Sequence, residues 1–230
     1  MSVLACGRTS LQQAYDVRAY LARRLGGEPS WLAPCGDAAL RRIVERCGPG
    51  RNSSVLELGF GQGRLLQTLV REVGVQRYDG VELSEGQLNA TARLFHREVA
   101  DRVQLYQSGD PADFMWTSNA LGGYSHVFAL FVFDAMSAED IREALRSMHE
   151  LVDEGGRLCV AALADRPSWG VALYKAAWRT LPLLLGGGRR PIELARVVDA
   201  ATWAEASSYI DDTDGWLPFS VMTFHAVNTP

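Results

Sequence analysis

Hydrophobic side chains along this chain repeat with two periods, and their alternation predicts strands and helices in turn. From Thr9 to Leu25 the apolar residues (Leu11, Ala14, Tyr15, Val17, Leu21, Leu25) fall at helical intervals and stop at Gly26-Gly27. Ser30 to Cys47 reads as a second helical piece, broken at Pro34 and closed by Gly48-Pro49-Gly50. Ser53 to Leu58 is a short, largely apolar run, the pattern of a strand buried on both faces of a parallel sheet. Gln62 to Val73 returns to the helical period, with Leu65, Leu66, Leu69, Val70 and Val73 on one stripe. A strand over Arg77 to Leu83, a helix capped by Ser84 with Leu88, Ala92 and Phe95 inward, and an alternating strand from Val103 to Gln107 follow. The most continuous apolar strand is Ser125 to Phe133. Ser137, with Asp140 three residues on, opens a helix to Leu151 in the manner of a capping box. Asp153-Glu154-Gly155-Gly156 then turns into a fifth strand, Arg157 to Leu163.

The last third changes character. Pro167-Ser168-Trp169 opens a helix rich in large apolar groups (Trp169, Val171, Leu173, Tyr174, Trp178), followed by a leucine run and Gly186-Gly187-Gly188. Pro191 to Trp203 is expected as a further helix. Glu205 to Asp211 and Leu217 to Val227 read as two strands joined by Asp211-Asp212-Thr213-Asp214-Gly215. With no helix between them, these strands must pair antiparallel.

At 230 residues with a net charge of −4, the chain has the size of one large domain. Its basic residues are scattered, and Lys175 is the only lysine. Nucleic-acid binding through phosphates draws on a concentrated basic face, so that partner class is disfavoured. Cys6, Cys35, Cys47 and Cys159 show no CxxC spacing and no neighbouring His. Neither a zinc site nor a redox pair is therefore expected, and Cys159, inside an apolar run, reads as a small core residue. No stretch approaches a membrane span and no secretory leader is visible, so a cytoplasmic protein with reduced thiols is expected.

The candidate chemistry lies where the first strand ends, at Val55-Leu56-Glu57-Leu58-Gly59-Phe60-Gly61-Gln62-Gly63-Arg64. Strand, glycine turn and helix in this order let a ligand approach the backbone and meet outward amides. A dinucleotide fingerprint needs glycine at the first, third and sixth positions, and here the sixth is Arg64. Glycines at the first, third and fifth positions, with Glu57 two residues ahead, resemble the first motif of the class I (Rossmann-like) S-adenosylmethionine-dependent methyltransferases. The resemblance runs from about Ser53 to Leu163 and includes the terminal hairpin. It implies a seven-stranded α/β sheet with helices on both faces and a reversed last strand. It also implies S-adenosylmethionine as cofactor and one domain over 1–230, with a helical cap over 1–50 and a helical substrate or lid insertion over 165–204.

Within that resemblance, Glu57, Gly59, Phe60, Gly61 and Gly63 would face the cofactor's amino-acid part. Glu82, about twenty residues past the glycine turn, sits where a carboxylate accepts from ribose hydroxyls, a device that dinucleotide folds share. Leu83 would lie against the adenine. The following segment, Leu83 to Thr91, departs from the family's LSxxxLxxA pattern at its last position, where Thr91 replaces Ala. Asp110, with Pro111, matches the pair whose Asp accepts from the adenine amine; as a helix cap before Pro111 it has an equally ordinary explanation. The carboxyl end of the fourth strand would face the transferred methyl group, with Leu130 in that strand a further cofactor-binding candidate. Asp134 is either a general base or a helix cap, and His126 and Tyr15 are further general-base candidates, Tyr15 also reading as a packing aromatic. The Asp/Asn/Ser-Pro-Pro-aromatic tetrapeptide of enzymes that methylate exocyclic amines is missing after the fourth strand. A small or lipid-like acceptor with an apolar body is therefore favoured, with methyl transfer to oxygen or nitrogen. The apolar residues from 165 to 199 serve such an acceptor, a homodimer surface or plain core. Two other readings stay open: an NAD(P)-dependent oxidoreductase, opposed by Arg64 and by the hairpin, and a non-catalytic S-adenosylmethionine-binding or partner-docking protein.

Overall fold

The computed structural model describes residues 35–95, 101–107, 123–167, 169–180, 190–198, 202–211 and 218–227. In chain order these hold α1 (Asp37–Cys47), β1 (Ser54–Leu58), α2 (Arg64–Gln67, continued as π-helix over Thr68–Val73), β2 (Arg77–Glu82) and α3 (Glu85–Phe95). Then follow β3 (Val103–Gln107), β4 (Tyr124–Leu130), α4 (Ala138–Leu151) and β5 (Val152–Leu163). The series closes with α5 (Trp169–Thr180), β6 (Trp203–Asp211) and β7 (Phe219–Ala226). The strands form one sheet in the order β3-β2-β1-β4-β5-β7-β6. β1 pairs parallel with both β2 and β4, so the strand order reverses between β1 and β4. In open α/β sheets such a switch point opens a crevice at the carboxyl ends of the strands.

Two cores follow from the period-2 alternation of the strands. On one face Leu56, Val127 and Leu158 meet Ile141, Leu145 and Met148 of α4. On the other, Val55, Phe128 and Cys159 meet Leu40 and Ile43 of α1 and Leu65, Leu66 and Leu69 of α2. Helices thus cover both faces of the central parallel strands, as their continuous apolar runs require. The terminal hairpin is antiparallel, with β7 inserted between β5 and β6. That is the arrangement expected from two strands with no helix between them.

The structure corrects several expectations. Cys47, the last residue of α1, and Cys159 in β5 are joined by a disulfide with Cα atoms 6.2 Å apart, so the chain is not the all-thiol protein its spacing suggested. Spacing rules see only local pairs, and these two meet because α1 packs across β5. The helix expected over Pro191 to Trp203 is not found among the described residues of that span, where Leu194–Arg196 forms a short 3-10 segment. Ile192 instead bridges Ala164, with its N–H donating to the Leu163 carbonyl, and Trp203 belongs to β6, buried with its indole N–H on the Leu145 carbonyl. The turn expected over Asp153 to Gly156 lies inside β5, opposite Ser125, where the β4–β5 register shifts. β4 ends at Leu130 instead of Phe133. Asp134 sits in a 3-10 turn over Phe133–Ala135 and does not cap α4, which Ser137 and Asp140 close with a complete capping box. The first expected helix, with Tyr15, and the Asp110-Pro111 pair lie outside the described residues. Among the described residues no helix is long and apolar enough to cross a membrane.

Candidate functional site

β1 delivers its chain to the switch point and the glycine loop begins there. Gly59, Gly61 and Gly63 all have positive φ, at 71°, 52° and 71°. A Cβ on Gly59 would lie 2.5 Å from Val132 Cγ2, and one on Gly63 would lie 2.7 Å from Thr91 Cγ2. The loop is therefore wedged between the β4–α4 turn and α3, and only glycine fits there. At Gly61 a Cβ would stand 3.3 Å from Gln87 Oε1, a tight approach that only a shift of that side chain would relieve. Phe60 between them is buried; a Cβ on Gly80 would stand 2.6 Å from its ring. That explains a glycine inside β2.

Glu82 ends β2 and is almost fully buried. Its Oε2 accepts from the Gly61 amide at 2.8 Å, and its Oε1 accepts from the Leu83 and Ser84 amides at 2.9 and 3.0 Å. One carboxylate thus ties the glycine loop to the start of α3, where Ser84 Oγ accepts from the Gln87 amide. Glu57, 3% exposed, lies in β1 just before the loop and accepts a hydrogen bond from the Tyr78 hydroxyl. Burial pushes its carboxyl up to about 8, partly offset by the Tyr78 bond and reinforced by the nearby Glu82. The Tyr78 hydroxyl, buried beside that acid, is raised as well.

The polar groups here decide what the cradle suits. The buried Glu82 carboxylate, an acceptor beside the loop, disfavours a pyrophosphate and suits a ligand with hydroxyls. Arg64, the residue that follows the loop, is engaged elsewhere: its Nη1 donates to the Cys35 carbonyl at 2.8 Å and its Nη2 pairs with Asp37 Oδ1 at 2.5 Å. The residues present fit a sulfonium nucleoside.

At the neighbouring strand, Leu130 is partly exposed at the end of β4, and Phe131 follows with φ of 57°, the one non-glycine positive φ among the described residues. A bulky side chain held in that region marks a backbone constrained by its surroundings. The constraint here is the Phe131 amide on the Ala161 carbonyl at 2.6 Å and an edge-to-face contact with Phe219. The resulting turn sets Val132 against Gly59 and carries Asp134, fully buried, on the same side of the sheet edge. The Arg190 amide donates to the Asp134 carbonyl at 2.7 Å and Arg190 Nη2 to the Met136 carbonyl at 3.0 Å. The segment after β5 thus crosses this turn.

Glu57, Gly59, Phe60, Gly61, Gly63, Glu82, Leu83 and Leu130 are thereby gathered at one end of the sheet. His126 is not. It pairs with Val55 and Arg157 in the first half of β4, about 13 Å of strand from Leu130. Burial lowers its imidazole to about 4, so it is neutral there, with Nδ1 3.0 Å from Ser125 Oγ. Four residues of the cradle escaped sequence reasoning: Tyr78, Gly80, Thr91 and Val132. A glycine inside an apolar strand was a readable signal for Gly80, and the broken family pattern was one for Thr91.

A family model described as "Methyltransferase domain" matches residues 56–158. Methyltransferase GfsG of Streptomyces halstedii is 28% identical over 136 residues, 59% of this chain and 46% of that protein. The chain thus spans about half the length of that curated relative. The structure of the [4+2]-cyclase SpnF overlays with a TM-score of 0.71 at 15% identity, covering 100% of this chain and 99% of that one. Magnesium protoporphyrin IX methyltransferase of Synechocystis PCC 6803, solved with bound S-adenosylhomocysteine, gives 0.61 at 17% identity over 83% and 81%. With the sheet order, these overlays show the Rossmann-like fold that class I methyltransferases share. The span that matches the methyltransferase-domain model, 56–158, begins inside β1 and ends inside β5, and so contains both sides of the switch point.

Proposed function

We propose that the chain binds S-adenosylmethionine in the cradle between β1 and β2 and transfers its methyl group to an oxygen or nitrogen of a small, partly apolar metabolite. The observation that carries this reading is Glu82: a buried carboxylate that holds the Gly61 amide from beneath, at the strand end where ribose hydroxyls are bound in this fold. The glycine loop and Glu57 would hold the amino-acid part, and Leu83 the adenine. When bound, the cofactor supplies a methyl group made electrophilic by its sulfonium. The remaining task of the chain is to align donor and acceptor and keep water out, which supplies several kcal/mol of barrier lowering.

For acceptors protonated at working pH, Asp134 is the base we assign, since its turn abuts Gly59 through Val132. His126 is set aside because of its distance along β4. The segment over 165–204 is assigned to the acceptor side because Arg190 fastens it to the Asp134 turn. The family's small-molecule members support a compact acceptor in place of a macromolecule.

Isothermal titration with S-adenosylhomocysteine tests the cofactor assignment, and absence of binding refutes it. Glu82→Ala is expected to weaken that binding at least tenfold while the protein stays folded, because three amides lose their shared acceptor. A screen of metabolites with a labelled methyl donor then identifies the acceptor by its mass shift.

A further inference from the structure

The position where the chain departs from its family pattern carries a bond to the cofactor loop. Thr91 is completely buried in α3, and its hydroxyl donates to the Gly61 carbonyl at 2.9 Å. Its methyl group fills the space a Cβ on Gly63 would need. The preceding peptide is held as well, since the Gly61 amide donates to Glu82 Oε2 at 2.8 Å, so both backbone polar groups of Gly61 are bonded. Gln87 and Phe95, one helical turn before and after Thr91, also face the loop, at Gly61 and Gly63. Helix α3 therefore braces the cradle along one stripe, and Thr91 makes its hydrogen bond to the loop backbone.

We propose that Thr91 is a positioning residue of the cofactor site, its hydroxyl fixing the orientation of the Gly61–Gln62 peptide while Glu82 holds the peptide before it, so that the loop stays matched to the ligand. This rests on the cofactor reading above. Alanine, the residue of the family pattern, removes both the hydroxyl and the methyl group. Valine removes only the hydroxyl, and serine only the methyl group. A loop with one of its two clamps released samples more orientations and binds through the fraction that remains competent.

The test is S-adenosylhomocysteine affinity in wild type, Thr91→Val, Thr91→Ser and Thr91→Ala, alongside amide hydrogen exchange of residues 59 to 63 in the ligand-free proteins. Expected are a five- to tenfold weaker Kd for the valine and alanine variants, roughly that of a lost buried hydrogen bond. Serine should restore affinity to within about twofold, and exchange across the loop should quicken in Val and Ala but not in Ser. Valine binding as tightly as wild type would overturn the proposal. So would serine binding as weakly as valine, because packing of the methyl group would then be the cause. If the wild type binds no S-adenosylhomocysteine, the cofactor reading falls, and the exchange comparison alone decides whether Thr91 orders the loop.

Discussion

The two ends of the crevice are built differently. On the β1–β2 side every turn of backbone has a partner: three glycines at positive φ, a buried carboxylate on three amides and a threonine hydroxyl on a carbonyl. On the side past β5, the first turns of α5 bury Val171 and Tyr174 but leave Trp169 79% and Leu173 55% exposed. The β1–β2 side, to which we assign the cofactor, is thus closely bonded, whereas the side past β5, to which we assign the acceptor, leaves large apolar side chains exposed. A site for one invariant ligand can be pre-organised by backbone geometry, and a site for a variable one is made from side chains on a separate segment.

The largest effect that would break this comparison is expected at Gly59. Gly59→Ala forces an L side chain into positive φ and onto Val132. It should abolish S-adenosylhomocysteine binding in calorimetry and cost stability on the order of a few kcal/mol, read by thermal unfolding. Full binding by this variant would mean that the cradle is not pre-organised.

An intermediate effect is expected from Glu57. Its folded value of about 8 lies above the ordinary carboxylate value of 4.5, so between these pH values the folded protein holds a proton that the unfolded chain has released. Stability of the ligand-free protein contributed by this group is therefore full below about pH 4.5 and is lost as pH rises through about 8. Glu57→Gln should flatten that slope and unfold at higher temperature than wild type at pH 9, with little difference at pH 4. Parallel stability curves for the two proteins would show that the acid is not held neutral by burial.

The smallest effect belongs to α5. Trp169→Ala removes a side chain that is mostly in water, so stability should change by less than about 0.5 kcal/mol and cofactor affinity not at all. The acceptor Michaelis constant should rise. A weakened cofactor Kd instead would join the two ends of the crevice that the comparison separates.

Local chemistry made much of the cofactor side readable. A glycine turn after an apolar strand, an acid two residues ahead and a second acid at the next strand end each depend on neighbours a few residues away. Glu57, Glu82 and the loop glycines accordingly lie together at the switch point. Ser137 and Asp140 were readable for the same reason, as a cap closes within one turn. Reasoning failed where distant partners decided. Pro191 to Trp203 has helical spacing, but its backbone is taken by Leu163 and Ala164 and its tryptophan by Leu145. His126 has the right residue type in the right strand at the wrong end of it.

From sequence alone came most of the order of strands and helices, the reversed final hairpin and the glycine turn after β1, because periodicity and glycine stereochemistry act over short stretches. Tertiary structure alone decided that Cys47 meets Cys159 and that Thr91 reaches the Gly61 carbonyl. It also decided that Tyr78 meets Glu57 and Val132 closes on Gly59. These pairs lie on different elements, and only the packing of the sheet against its helices brings such atoms within bonding distance.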